Sequence, residues 1–346
     1  MTQKTKTKTK NQTILFTVIS FITFFLISDC SIREAEQSNY HLVIDAGSSG
    51  TRFCLFQMKY SNETPHCNVR SSECQNITAS NGLAALNNNQ IEQVIQEGFS
   101  KIQKENRLRI NHVALLGTGG FRALPDSARN NKISQIANII FKTGYASTVK
   151  VISGEDEAWL AWRSIAAEND SHTHGIIEIG GATLQVAAGK NNIPISKVSY
   201  QLGMNTVKAQ IKSDSACFST PTPSRFLDCQ NELRPLLNSI KPAFENTDLI
   251  YYGLGNPIQA VFHQLKQNQI KSTQIESLGQ EVCQSNSDQL TNLGIQTKFQ
   301  ADSCYLFAFQ SIVYQNTGLS RLRKANTSSS WPTGASTSGE YFPECR

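Results

Sequence analysis

A short apolar run, Leu42-Val43-Ile44, ends in Asp45, passes through the small residues Gly47-Ser48-Ser49-Gly50 and resumes as Phe53-Cys54-Leu55-Phe56. That pattern predicts a strand, a tight turn and a second strand. About 130 residues later the design returns, as Ile176-Ile177, Glu178 and Ile179 lead through Gly180-Gly181-Ala182 into Leu184, Val186 and Ala187. Such a repeat is the trace expected of two lobes that carry related sheets and face each other. Between the turns, periodicity predicts helices over 91–103, 133–141 and 157–167, and strands over 112–116 and 148–152. Further on, 231–239, 257–267 and 305–314 read as helices and 249–252 as a buried strand. The Ser-, Thr- and Gly-rich stretch 317–346 is left unassigned. Alternation of this kind favours an α/β fold.

A length of 346 residues supports the two-lobe reading, since it exceeds an ordinary single domain. The formal net charge of +5 changes the picture less than it first suggests. Lys4, Lys6, Lys8 and Lys10 sit in the first ten residues, and the remainder carries no basic footprint for a nucleic acid. The lysines precede an apolar stretch, 14–28, giving the charged and apolar regions of a secretory signal or an uncleaved N-terminal anchor over 1–30. Export is the expectation, with any membrane attachment made through that N-terminus or a lipid on Cys30.

Nine cysteines fit an oxidising compartment, so disulfides are expected. Local pairing is the expectation: Cys67 with Cys74 around a polar loop, Cys217 with Cys229, and Cys283 with Cys304, leaving Cys54 and Cys345. No C-x-x-C pair supports a zinc site. Sequons stand at Asn62, Asn76, Asn169 and Asn326.

The two turns carry the candidate chemistry. Glycines at a strand turn let backbone N–H groups approach phosphate oxygens, Ser and Thr hydroxyls add donors, and an acid at the strand end can hold metal-bound water. Two such turns can grip one polyphosphate and its metal. A P-loop is excluded, because it runs from strand to helix and needs a Gly-Lys-Ser/Thr ending that is absent. Gly117-Thr118-Gly119-Gly120-Phe121-Arg122 offers a third glycine turn, weak as a dinucleotide fingerprint.

Four segments in order, DAGSSGTR at 45–52, LGTGGFR at 116–122, SGEDEAWLAW at 153–162 and IEIGGATLQ at 177–185, resemble the signature regions of the nucleoside triphosphate diphosphohydrolase (apyrase) family. That family belongs with the actin, sugar kinase and heat-shock ATPase superfamily. Weaker echoes follow at 199–205, 251–257, 302–307 and 331–334. The resemblance implies an α/β fold of two actin-like (ribonuclease H-like) lobes with a nucleotide-binding cleft between them. Lobe I would span 38–172, completed by 320–346, and lobe II 173–319.

It also implies roles. Asp45 matches the acid that holds the metal, Mg²⁺ or Ca²⁺, through water; Glu178 falls where the family usually has Asp. Ser48, Ser49, Gly50, Thr51 and Arg52 match the first phosphate loop, and Gly180, Gly181 and Ala182 the second. Thr118 and Arg122 match the groups that meet the terminal phosphate, where the planar guanidinium suits bidentate binding. Glu157 matches the general base, and Thr183 and Gln185 the pair that holds the attacking water. Hydrolysis needs that set: a water in line, a proton acceptor and charge neutralisation. Ala158, where the family has Gly, resembles exopolyphosphatases instead.

Trp159 and Trp162, on one apolar helix face, read as core. Tyr251, Tyr252 and Tyr305 are available to hold a nucleobase. The expected function is hydrolysis of the terminal phosphate of nucleoside tri- or diphosphates. The alternatives are an exopolyphosphatase and, outside enzymes, a nucleotide-regulated binding protein; a sugar kinase is disfavoured by export.

Overall fold

The computed structural model describes residues 39–60, 67–78, 82–168, 173–191, 193–241, 249–326 and 330–346. The N-terminal leader and the sequons at Asn62 and Asn169 lie outside the described residues. Among the described residues no helix is long and apolar enough to cross a membrane.

Among the described residues eleven strands form two sheets. The first comprises β1 (Asn39–Ala46), β2 (Thr51–Tyr60), β3 (Cys67–Thr78), β4 (Ile110–Gly117) and β5 (Ala146–Val151), in the order β3-β2-β1-β4-β5. The second comprises β6 (Thr173–Ile179), β7 (Leu184–Lys190), β8 (Ile193–Tyr200), β9 (Tyr251–Leu254), β10 (Gln269–Lys271) and β11 (Arg321–Lys324), in the order β10-β11-β9-β6-β7-β8. The sheets repeat one plan. β1 pairs antiparallel with β2, β2 with β3, and β1 and β4 continue in parallel. In the second sheet β6, β7, β8, β9 and β11 repeat those relations in the same order. The sequence repeat is therefore the hairpin of a duplicated sheet.

β1 and β4 are buried almost throughout, as central parallel strands must be. Helices flank them. Asn88–Lys101 starts at an Asn87 capping box closed by Gln90 and buries Ile91, Val94, Ile95 and Phe99. Gly154–Glu168 carries Glu155, Asp156 and Glu157 in its first turn, where the helix dipole favours acids, and Ser153 Oγ accepts from the Asp156 N–H at 3.0 Å. Its apolar face joins the two sheets in one cluster, with Val43, Phe56 and Ala114 on one side and Ile176, Ala187 and Leu254 on the other. Trp162 is fully buried there and its indole N–H donates to the His174 carbonyl at 2.8 Å. Trp159 stacks on it at 4.3 Å, so both tryptophans serve the core.

One expected disulfide, Cys67–Cys74, is corrected, and Cys54 and Cys345, left over from the local pairing, are bonded. Cys54 bonds Cys74 and Cys67 bonds Cys345; Cys217–Cys229 and Cys283–Cys304 form as expected. The segment between Cys67 and Cys74 is not a loop but strand β3, along which those cysteines lie roughly 23 Å apart, beyond disulfide reach. β2 and β3 instead set Cys54 directly across from Cys74. β3 escapes periodicity because it is a polar edge strand. The unassigned tail supplies β11 and the helix Trp331–Ser336, whose Trp331 and Ala335 join the inter-sheet cluster.

Candidate active site

Each hairpin sets an acid at the penultimate position of its first strand. Asp45, 5% exposed, stands in register with Arg52, whose Nε donates to Asp45 Oδ2 at 2.8 Å. The neighbouring carboxylate holds that guanidinium above its ordinary pKa. Glu178 occupies the same place in the second hairpin, but in register with Gln185. Gln185 Nε2 donates to Thr183 Oγ1 at 2.9 Å. Glu178 Oε2 is a buried acceptor with no hydrogen-bond partner among the described residues. Burial, reinforced by Glu157 and Asp45 and opposed by Arg52, pushes the Glu178 carboxyl up to about 8.

The third glycine turn follows β4. Thr118 leads into the short helix Gly119–Arg122, and its N–H donates to the Ala46 carbonyl at 3.2 Å, tying this turn to the first hairpin. Arg122 Nη1 donates to the Ile152 carbonyl at 3.0 Å and Nη2 to Glu157 Oε2 at 2.9 Å. The guanidinium thus clips the end of β5 to the first turn of the next helix. Glu157 is 7% exposed, and burial raises its carboxyl to about 7 against the pull of Arg122 and Arg52, with Asp45 adding to the rise. A carboxylate poised there suits a general base near neutral pH.

These elements meet in a cleft of about 600 Å³. Asp45, Ser48, Ser49, Gly50, Arg52, Thr118, Glu157, Glu178, Gly180, Gly181, Ala182, Thr183 and Gln185 all line it. Arg122 joins through its bond to Glu157, and Thr51 is buried at the start of β2 rather than lining the cleft. The loops approach closely. A Cβ on Gly119 would lie 3.0 Å from Ala182 Cβ, and one on Gly181 would lie 3.7 Å from Ser48 Oγ.

Residues outside the candidate set also line the cleft: Asn76, Met204, Asn205, Asn256, Pro257 and Trp331. The duplication contains a signal for some of them. The turn after β9, Gly255-Asn256-Pro257, is the second-sheet counterpart of the turn after β4. Gly255 is required there: its φ is +86°, and a Cβ would lie 2.2 Å from the Ile179 carbonyl oxygen. The tyrosines stand elsewhere. Tyr305 is 1% exposed with its hydroxyl on the Met204 carbonyl at 2.6 Å, Tyr251 is 4% exposed, and Tyr252 lines a separate cavity.

Among the described residues no three His, Cys, Asp or Glu side chains stand close enough to hold a metal directly. The unpartnered Glu178 oxygen and the three carboxylates in mutual electrostatic reach nonetheless fit a cation held through its waters.

Over residues 31–220 the sequence matches the GDA1/CD39 (nucleoside phosphatase) family. The chain belongs to this family. Among curated relatives, it is 25% identical over 236 residues to "Probable apyrase 4" of Arabidopsis thaliana, covering 61% of this chain and 46% of that protein. It is 27% identical over 182 residues to nucleoside diphosphate phosphatase ENTPD5 of Homo sapiens, covering 47% of this chain and 41% of that protein. The GDA1/CD39 chain thus aligns with less than half the length of these relatives. Among solved structures it resembles the Aquifex aeolicus member of the Ppx/GppA family, with a TM-score of 0.63 at 15% identity, covering 86% of this chain and 95% of that one. An exopolyphosphatase from Cytophaga hutchinsonii gives 0.56 at 16% identity, covering 86% and 96%. These likenesses show the shared fold, an α/β chain built on two sheets of one plan.

Proposed function

We propose that this GDA1/CD39 chain is an apyrase-type hydrolase that releases the terminal phosphate of nucleoside tri- and diphosphates. The observation that carries the reading is a buried carboxylate, Glu157, clipped by Arg122 beside two glycine hairpins that meet at one cleft. Backbone N–H groups of 47–50, 181 and 182, with the Ser48 and Ser49 hydroxyls, hold the phosphates, and Thr118 and Arg122 meet the terminal one. Glu157 accepts the proton of the attacking water through the oxygen that Arg122 leaves open, while Thr183 and Gln185 position that water. Mg²⁺ or Ca²⁺, held through water by Asp45 and Glu178, would neutralise phosphate charge. Lobes at 38–172 and 173–319 would close on the substrate; of the stretch 320–346 expected to complete the first, β11 belongs to the second sheet and 330–346 packs with β1 and β2. The leader and four disulfides support export of the protein.

A second reading, exopolyphosphatase, is favoured by one observation: the tyrosines available to hold a base lie outside the cleft or in the core. Phosphate release from ATP, ADP, GTP, UTP and polyphosphate, each with Mg²⁺, with Ca²⁺ and with chelator, tests both. Metal-dependent release from tri- and diphosphates is the expected result. Release from polyphosphate alone supports the second reading, and release from none overturns both.

A further inference from the structure

A second cavity, of about 810 Å³, lies over the β9-β11-β10 edge of the second sheet, lined by Tyr252, Asn268, Gln269, Arg323, Lys324 and Asn326. We propose that it is a binding site for a nucleoside monophosphate, separate from the hydrolytic cleft. Strand register builds it. Arg323 stands opposite Tyr252 on β9 and opposite Gln269 on β10, so the three side chains form one cross-strand row on one face. The rim is fixed by the Lys324 N–H, which donates to the Asn268 carbonyl at 2.8 Å.

Tyr252 is braced from behind. Trp159 stacks on Trp162, Trp162 stacks on His174 at 4.7 Å, and His174 meets the Tyr252 ring edge to face at 5.7 Å. An aromatic wall held in this way costs little ordering on binding. The charges point to the ligand. Arg323 and Lys324 are exposed, enter no ion pair among the described residues, and no carboxylate lines the cavity with them. Two cations match the roughly two negative charges of a phosphate monoester and leave a triphosphate under-neutralised. The aromatic ring and the carboxamides of Asn268 and Gln269 suit a planar base with hydrogen-bonding edges. The proposal concerns binding alone, so it stands or falls apart from hydrolysis.

Calorimetric titration of the full chain with AMP, ribose 5-phosphate and inorganic phosphate, at low ionic strength, tests it. AMP is expected to bind more tightly than ribose 5-phosphate, and that more tightly than phosphate. Arg323→Ala combined with Lys324→Ala should weaken AMP about tenfold or more, and phosphate release from ATP should stay within about twofold. Tyr252→Leu should narrow the gap between AMP and ribose 5-phosphate, with a melting curve confirming the fold. No AMP binding to the wild type, or undiminished binding to the double variant, would overturn the site. Equal affinity for AMP and ribose 5-phosphate would overturn the base-binding wall.

Discussion

At the end of β1 Asp45 faces Arg52 across its hairpin, whereas at the end of β6 Glu178 faces Gln185 across the other. The backbone plan is shared, but the cross-strand partner differs by one full charge. In the first hairpin the guanidinium neutralises the acid in place. In the second the amide bonds Thr183 instead, and the burial cost of Glu178 falls on its own proton affinity. The first hairpin is electrostatically complete by itself. The second keeps a buried acceptor with no partner among the described residues, so its carboxyl holds its proton more tightly.

Five experiments break or sharpen that contrast. Glu157→Gln, which removes the acceptor lying between the hairpins, should lower turnover by about 10²-fold or more while nucleotide binding and melting temperature persist; unchanged turnover would remove Glu157 from the mechanism. Next in size is the pH profile. Because Glu157 works only when deprotonated, kcat/KM should rise with pH and level off above about 7, falling roughly tenfold per unit on the acid side.

Arg52→Met leaves Asp45 buried without its counter-charge. Since the Arg52 side chain is 39% exposed, the loss should be moderate, about 1–2 kcal/mol, seen as a melting point lower by roughly 3–6 °C. Gln185→Met, at the matching position, should cost less, since no buried charge loses a partner there.

One effect has the opposite sign. The folded protein keeps the Glu178 proton up to about 8, whereas the unfolded chain releases it near the ordinary value of 4.5. Stability therefore falls as pH climbs through that window. Glu178→Gln should raise the melting temperature by several degrees at pH 8.5 and hardly change it at pH 5. A variant less stable than the parent at pH 8.5 would show that Glu178 is already compensated.

The hairpins were legible in the sequence because alternation and small-residue turns are local signals, and the duplicated acid told where they end. Nearly all the candidate site residues meet at the cleft for the same reason, since strand ends and glycine turns carry them. Longer-range pairing was not legible. β3 and the Cys54–Cys74 link depend on a polar edge strand with only scattered apolar residues, Val69 and Ile77, to mark it. The helix predicted over 231–239 is Arg225–Leu237, and the one over 305–314 extends to Thr297–Thr317, because burial on several faces blurs the period. Asn256 reaches the cleft through the turn after β9, which only the duplicated sheet makes equivalent to the glycine turn after β4, and Asn205 through the short helix Met204–Lys208 that follows β8.

The Cys67–Cys345 bond joins positions 278 residues apart, so it closes nearly the whole described chain into one covalent ring. Pulled between Asn39 and Arg346, the oxidised protein could lengthen only along the short path through Cys54, Cys74 and Cys67, roughly 80 Å of chain. Reduced, the same molecule would pay out on the order of 1,000 Å. The second sheet, with β4 and β5, is thus shielded from end-to-end tension for as long as that one sulfur link survives, while β1 and its glycine hairpin stay on the loaded path.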